Sequence, residues 1–180
     1  IHQLATQIVE LFAEEGAAVA ILDATCRLDT AEEASMDTFL SVSAASPYQQ
    51  QLQDYAESLV RQKCTTHEWC ILALQAGAPV ARAALWALPG QPVPTDVVLI
   101  DTDWSEEDLA TGLALLTRVH EVAADLGADG LSHSVDSPPG APQYQDNAEA
   151  RIRLLETAGY ELLRDGLRWT YSGSAPQGPG

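Results

Sequence analysis

Three side chains that could take a proton from a substrate lie in or just after predicted strands. Asp101 and Asp103 end a strand predicted to begin at Val97, and His133 lies in a strand predicted over residues 131–135. A general base needs a carboxylate or an imidazole with a pKa near the working pH. These residues are therefore candidate general bases, and a structural or solvated role is the alternative for each.

Other residue patterns that support catalysis or metal binding are incomplete. Cys64-x-x-His67-x-x-Cys70 supplies three zinc ligands, whereas a structural zinc site needs four. We expect no metal there. The chain has no Gly-x-Ser-x-Gly nucleophile elbow, and its cysteines have no basic neighbours that would activate a thiolate. His120 lies near the apolar stripe of a predicted helix, which favours a packing role.

The charge balance excludes one class of partner. Nine Lys and Arg face twenty-six Asp and Glu, a formal net charge of −17. Binding to a phosphate backbone needs clustered cations, so we expect no nucleic-acid partner. A negative field favours cationic small molecules or basic partners, although it also serves solubility alone.

Hydropathy and cysteine content indicate a cytoplasmic, globular chain. No apolar run approaches the roughly 18 residues of a membrane helix, so we expect no membrane partner. Three cysteines, an odd number without repeated spacing, suit a reducing compartment.

The first half of the chain is predicted to be mainly helical. A helix over 1–16 precedes a short strand over 17–22, and two helices follow over 31–45 and 48–62. Two strands, 69–75 and 80–88, are joined by a turn at 76–79 and predict a β-hairpin. A third strand begins at Val97 and ends near Thr102.

The second half alternates helices and strands. Ser105 and Gly127 bound a long amphipathic helix, the strand 131–135 follows, and a helix over 148–158 ends at Gly159. A terminal strand or hairpin is predicted over 160–171, and the Gly/Pro/Ser tail 172–180 is predicted to be a flexible end or linker. Since one helix connects the third strand to the next, those two strands should be parallel.

This order predicts one α+β domain over residues 1–171, with a mixed, mostly antiparallel central sheet flanked by helices. Alternation along the third strand puts Asp101 and Asp103 on the face of Val97 and Leu99. The same alternation along the strand 131–135 puts His133 on the face of Leu131 and Val135.

Two stretches resemble the GCN5-related N-acetyltransferase (GNAT) superfamily, whose members transfer an acyl group from coenzyme A to an amine. One runs from Leu115-Leu116 through Asp125-Leu126-Gly127-Ala128-Asp129 to Leu131, and is similar to the family's coenzyme-binding helix and following strand. The other, 154–160, is similar to its closing helix and Gly-aromatic exit. The resemblance covers about 17–171 and implies the GNAT fold.

The resemblance also implies a site for the coenzyme. The family's Gln/Arg-x-x-Gly-x-Gly/Ala loop, which binds pyrophosphate at a helix start, aligns with 107–112, where Glu107 and Ala110 depart from the pattern and Gly112 keeps it. Acidic residues crowd this loop and disfavour an anion. The coenzyme-binding residues implied by the resemblance are Ile100 and Thr102 on the strand, Asp108, Ala110, Thr111, Gly112 and Leu113 at the helix start, and Asn147.

The family's usual general acid is a Tyr on the closing helix, and that position is Leu155 here. Tyr144 is the nearest substitute, with a half-buried structural Tyr as its alternative, and Asn147 is equally a plain N-cap. Arg151 and nearby arginines could pair with a phosphate of the coenzyme or with the acidic surface.

Two functions follow from the resemblance. The first is acetyl-coenzyme A-dependent acyl transfer to a small, cationic amine. The alternative is a domain of the same fold that has lost coenzyme binding and serves as a binding or structural module, with a partner domain or a second copy of the chain as its partner.

Overall fold

The computed structural model describes residues 26–30, 36–43, 46–104 and 109–166. Within them lie four strands and four α-helices. The strands are β1 (Cys26–Thr30), β2 (Cys70–Gln75), β3 (Ala78–Trp86) and β4 (Asp96–Thr102); the helices are α1 (Met36–Leu40), α2 (Gln49–Arg61), α3 (Leu109–Asp125) and α4 (Ala148–Thr157). None of the described helices is long and apolar enough to cross a membrane.

The four strands form one antiparallel sheet in the order β1-β2-β3-β4. The predicted hairpin is present, because Ala76 and Gly77 both adopt positive φ values, 50° and 82°, as a tight mirror-image turn requires. The predicted third strand is β4. The sheet and its flanking helices confirm the α+β class.

The predicted strand over 131–135 is reduced to a single bridge. Ser132 pairs with Asp96 in the parallel direction, which confirms the predicted orientation. The ladder then stops, because the Val97 carbonyl accepts from the His133 ring and the Ser134 carbonyl accepts from the Gln145 side chain. Beyond that bridge, these hydrogen bonds from the His133 and Gln145 side chains replace main-chain pairing between residues 133–135 and β4.

Helices cover both faces of the sheet. Strands β2, β3 and β4 are therefore apolar on both sides, as expected for a doubly covered sheet. The face packed against α3 and α4 buries Ile71, Ala73, Ala81, Ala83, Leu85, Val97 and Ile100, with Leu115, Leu116, Val119, Leu154 and Leu155 from the helices. The face packed against α1 and α2 buries Cys70, Leu72, Leu74, Ala84, Val98 and Leu99, with Phe39, Leu52 and Leu59.

A β-bulge in β4 interrupts the alternation of its side chains. Ala84 pairs with Val98 and Arg82 with Asp101, so β4 carries one extra residue at this point. Val97 and Ile100 consequently share one face while Leu99 lies on the other. The prediction that Val97 and Leu99 share a face is therefore wrong, because strict alternation takes no account of a bulge.

Several boundaries differ from those predicted. Strand β1 was not predicted, since Asp29 and Thr30 have the composition of a helix cap. Of the helix predicted over 31–45, α1 covers Met36–Leu40 and a short 3-10 helix follows over Ser41–Ser43, while 31–35 and 44–45 lie outside the described residues. Residues 160–166 form no strand. Gly127 and Gly159 follow α3 and α4 with φ near 90°, which confirms both predicted stops. The predicted helix 1–16, strand 17–22, residues 167–171 and tail 172–180 lie outside the described residues.

Candidate active site

A cavity of about 960 Å³ lies beside the C-terminal half of β4. Its wall is formed by residues from 99 to 104, the loop 143–147 and the segment that enters α2. Of the candidate general bases, Asp101 and Asp103 line it, as does Tyr144. The bulge lies at this cavity, because the register of pairing with β3 shifts just before Asp101 and Thr102, which line the cavity and pair with β3 again.

Leu99 is the strained residue of the bulge. Its φ is 53°, in the left-handed region that costs a residue with a Cβ atom about 1–2 kcal/mol. The Leu99 N–H donates to Oε1 of Gln143 at 3.2 Å. Leu99 and Gln143 both line the cavity, so this hydrogen bond joins β4 to the loop 143–147 at the cavity wall.

Asp101 is held by several donors. Its Oδ1 accepts hydrogen bonds from Trp104 Nε1 at 2.7 Å and from the main-chain N–H of the next residue, Thr102, at 3.2 Å. Arg151 lies 3.5 Å from Oδ1, and Arg82 lies 3.9 Å from Oδ2. With its oxygens thus engaged, Asp101 acts as the centre of a charged cluster and is poorly suited to collect a substrate proton.

Arg151 joins three elements of the cavity wall. Its Nε donates to the Asp146 carbonyl at 2.6 Å, its Nη1 donates to the Ile100 carbonyl, and its guanidinium lies 4.3 Å from the Trp104 ring centroid. The residue is 5% exposed. Burial, partly offset by Asp101, lowers the pKa of Arg151 to about 10. The sequence suggested a phosphate or the acidic surface as its partner; the structure gives it the partly buried Asp101 carboxylate and two main-chain carbonyls.

Arg82 anchors the opposite side of this cluster. It is 1% exposed and donates to the Phe39 and Leu40 carbonyls, both at 3.3 Å, at the end of α1. Arg82 is not among the site residues predicted from the sequence. A charged residue inside the otherwise apolar run 80–88 was the available signal, because buried arginines need carboxylate or carbonyl partners.

The rest of the cavity wall offers polar and aromatic groups. The Thr102 hydroxyl is buried and has no hydrogen-bond partner among the described residues. Asp103 is exposed at the rim, and the Tyr144 ring stacks on Tyr48 with centroids 5.2 Å apart. Asp146 accepts from the Ser46 hydroxyl at 3.3 Å. The rim therefore combines carboxylates with an aromatic face.

His133, the third candidate base, lies outside the cavity lining. Nδ1 is 2.7 Å from the Val97 carbonyl, which can only accept, so Nδ1 carries the proton. Gln145 accepts from the Asp136 N–H through Oε1, which directs its Nε2–H groups to Ser134 and to His133 Nε2, 3.1 Å away. Burial lowers the pKa of His133 to about 4. Both nitrogens are committed to holding the loop.

The helix start implied for the coenzyme is described from Leu109 onward, so Asp108 lies outside the described residues. Ala110, Thr111, Gly112 and Leu113 are not part of the cavity lining. A Cβ atom on Gly112 would lie 3.0 Å from two carbon atoms of Leu154, so this glycine permits α3 and α4 to pack closely.

Leu155 and Asn147, the two positions of the closing helix singled out in the sequence, differ in their surroundings. Leu155 is buried in the core. Asn147 lines the cavity at the N-cap of α4, with φ 59° and no side-chain capping bond. His120 bonds the Tyr160 hydroxyl at 2.9 Å, as its predicted packing role requires.

The Cys64-x-x-His67-x-x-Cys70 pattern is divided between the interior and the surface. Among the residues that the structure describes, no group of three or more His, Cys, Asp or Glu side chains could hold an ion. Cys64 and Cys70 are buried, whereas His67 between them is exposed.

The helices and the antiparallel sheet define an α+β fold with a cavity at an irregular strand, and solved structures specify that fold further. No protein-family model and no curated protein matches the chain. A Pyrococcus furiosus protein named as a candidate acetyltransferase is similar in structure, with a TM-score of 0.53 and 18% identity over 81% of this chain and 99% of its own. An aminoglycoside antibiotic 6'-N-acetyltransferase from Acinetobacter haemolyticus is similar with a TM-score of 0.52 and 12% identity over 82% and 99%. The chain has a GNAT-like fold.

Proposed function

We propose that this domain transfers an acetyl group from acetyl-coenzyme A to a small, cationic amine in the cavity beside β4. The observation that carries the proposal is the bulge at Leu99, which directs a main-chain N–H into a cavity of a GNAT-like fold. A fixed N–H donor stabilises the negative charge that develops on a carbonyl oxygen when an amine attacks it.

Two groups on β4 suit the acyl end of the coenzyme. The Leu99 N–H can bind a carbonyl oxygen, and the Thr102 hydroxyl is a buried polar group that lacks a partner among the described residues. Bound acetyl-coenzyme A supplies an activated thioester. The Ile100 carbonyl and the Thr102 N–H, in contrast, already bind Arg151 and Asp101, so coenzyme binding there requires their release.

The amine is assigned to the rim of the cavity. Asp103 and Asp146 attract an ammonium group, and the face of Tyr144 favours a cation. We assign Asp103 as the base that takes the amine proton, because Asp101 is engaged with two arginines and His133 lies elsewhere. We assign the Tyr144 hydroxyl as the donor that protonates the departing sulfur.

Calorimetric titration with acetyl-coenzyme A tests the proposal. We expect micromolar binding, roughly −8 kcal/mol. Release of free thiol in the presence of polyamines or amino sugars, but not of neutral amides, would then identify the acceptor class. Absence of binding up to millimolar ligand, together with an unchanged Tm, would overturn the transferase proposal.

A second candidate function is a binding module of the same fold without catalysis. Internal hydrogen bonds at Ile100 and Thr102, and the use of Gly112 for helix packing, favour it. It predicts no acetyl-coenzyme A binding and retention of a partner domain or a second copy of the chain. Sedimentation of the chain alone, and of the chain mixed with a candidate partner domain, would distinguish these partners.

A further inference from the structure

The acyl-binding donor of β4 is already bonded by the protein itself. The Leu99 N–H points out of the strand ladder because the bulge rotates it, and its acceptor is Oε1 of Gln143, 44 residues away, at 3.2 Å. The acceptor atom is the oxygen of a planar carboxamide. A thioester or amide carbonyl presents the same type of acceptor, an sp² oxygen with two lone pairs.

Gln143 and its neighbour Gln145 are held very differently. Gln145 is 3% exposed and is bonded to Asp136, Ser134 and His133, so it fixes the loop to the segment after α3. Gln143 is partly exposed, and the bond to Leu99 is the one hydrogen bond its side chain makes among the described residues. The side chain of Gln143 can therefore leave Leu99 by rotation of its own torsions while Gln145 keeps the loop in place.

We propose that Gln143 is a gate residue: it occupies the carbonyl-binding donor of Leu99 in the free protein and must be displaced by the carbonyl group of the acyl donor. This inference rests on the proposed function and adds to it the residue that controls entry to the acyl site. The exchange is nearly balanced, because one neutral hydrogen bond between an N–H and a carbonyl oxygen replaces another. Gln143 thus lowers the affinity for the acyl donor without abolishing it.

The gate predicts that removing the acceptor strengthens binding. Gln143→Leu replaces the carboxamide by a branched apolar side chain one bond shorter and so removes the oxygen, and Gln143→Ala removes most of the side chain. Each should bind acetyl-coenzyme A about fivefold more tightly than the unaltered chain, the change that corresponds to roughly 1 kcal/mol for one neutral hydrogen bond. Gln91→Leu, in an exposed loop outside the cavity, is the matched control and should leave the affinity unchanged.

Two measurements decide the inference. Amide hydrogen exchange followed by NMR, without ligand, should show the Leu99 N–H exchanging about fivefold faster in Gln143→Leu and in Gln143→Ala. Unchanged exchange in both variants would show that the contact does not protect this amide, and would overturn the gate. Calorimetry then compares the affinities for acetyl-coenzyme A.

The calorimetric outcomes separate the gate from the proposed function. Tighter binding by the Gln143 variants, or binding by them alone, supports both. Equal affinity in all four proteins overturns the gate and leaves the transferase proposal standing. Binding by none of them overturns the transferase proposal, and the gate with it.

Discussion

Mild acid should destabilise this domain through His133. The ring donates from Nδ1 to the Val97 carbonyl and accepts at Nε2 from Gln145, so a second proton would place two N–H groups against each other. The pKa of His133 is about 4, lowered first by burial and further by the charge of Arg151, against about 6.5 in an unfolded chain. Between pH 6.5 and 4 the unfolded chain binds the proton more readily, so stability is lost as the pH falls through this window.

The size of the effect follows from the two pKa values. Their difference corresponds to about 3.4 kcal/mol in full, and to about 2 kcal/mol between pH 7.5 and 5. A domain of this size is stable by about 5–15 kcal/mol, so the loss is large enough to measure. His120, whose pKa is also lowered by burial, adds a contribution of the same sign.

Urea denaturation at pH 7.5, 6 and 5 measures this effect. His133→Asn retains an amide that can donate to Val97 but removes the titrating ring. It should be less stable than the unaltered chain at pH 7.5, and its further loss down to pH 5 should be about 2 kcal/mol smaller. His67→Asn, at an exposed histidine, should keep the original pH dependence. An undiminished pH dependence in His133→Asn would refute the assignment of a bonded, neutral His133.

Three further substitutions test the packing and chemistry around the cavity. Arg151→Met removes the hydrogen bonds that Arg151 donates to the Ile100 and Asp146 carbonyls and removes a partner of Asp101, so it should lower the free energy of unfolding by about 3–5 kcal/mol. Arg153→Met, at an exposed position on the same helix, should change the free energy of unfolding by less than about 0.5 kcal/mol. Equal effects of the two substitutions in denaturation would contradict this role of Arg151. Gly112→Ala places a Cβ atom 3.0 Å from buried Leu154 and should lower the free energy of unfolding by about 1–2 kcal/mol, because overpacking outweighs the gain in helix propensity. In a Leu154→Ala background the same change should be neutral or stabilising, and a loss of stability that persists there would argue against the contact. Asp103→Asn should lower kcat/KM for a cationic amine by about 100-fold and leave the affinity for the coenzyme unchanged. Asp129→Asn, at an exposed position after α3, should leave kcat/KM unchanged. Full activity of Asp103→Asn would contradict the assignment of Asp103 as the base.

The sequence by itself determined most of the local structure. Apolar runs bounded by Gly and Pro located β2, β3 and β4, and the stripe of Leu115, Leu116 and Val119 located α3. Glycines at 127 and 159 ended their helices because they adopt positive φ at little cost. Such signals depend on neighbours in the chain, so they can be read without a structure. The order of these elements also indicated the GNAT-like fold.

Tertiary structure alone decided which groups meet in the cavity. Periodicity could not predict the bulge at Leu99, because its left-handed conformation occurs where the register of pairing between β3 and β4 shifts. Asp101 was predicted as a base, yet Arg82 and Arg151, from a strand and a helix distant in the chain, convert it into an ion-pair centre. Gly112, which matches a phosphate-binding signature in the sequence, packs against Leu154, and a Cβ atom there would lie 3.0 Å from two Leu154 carbon atoms. Each of these outcomes depends on contacts between residues about 14 to 50 positions apart, and local propensity carries no record of such contacts.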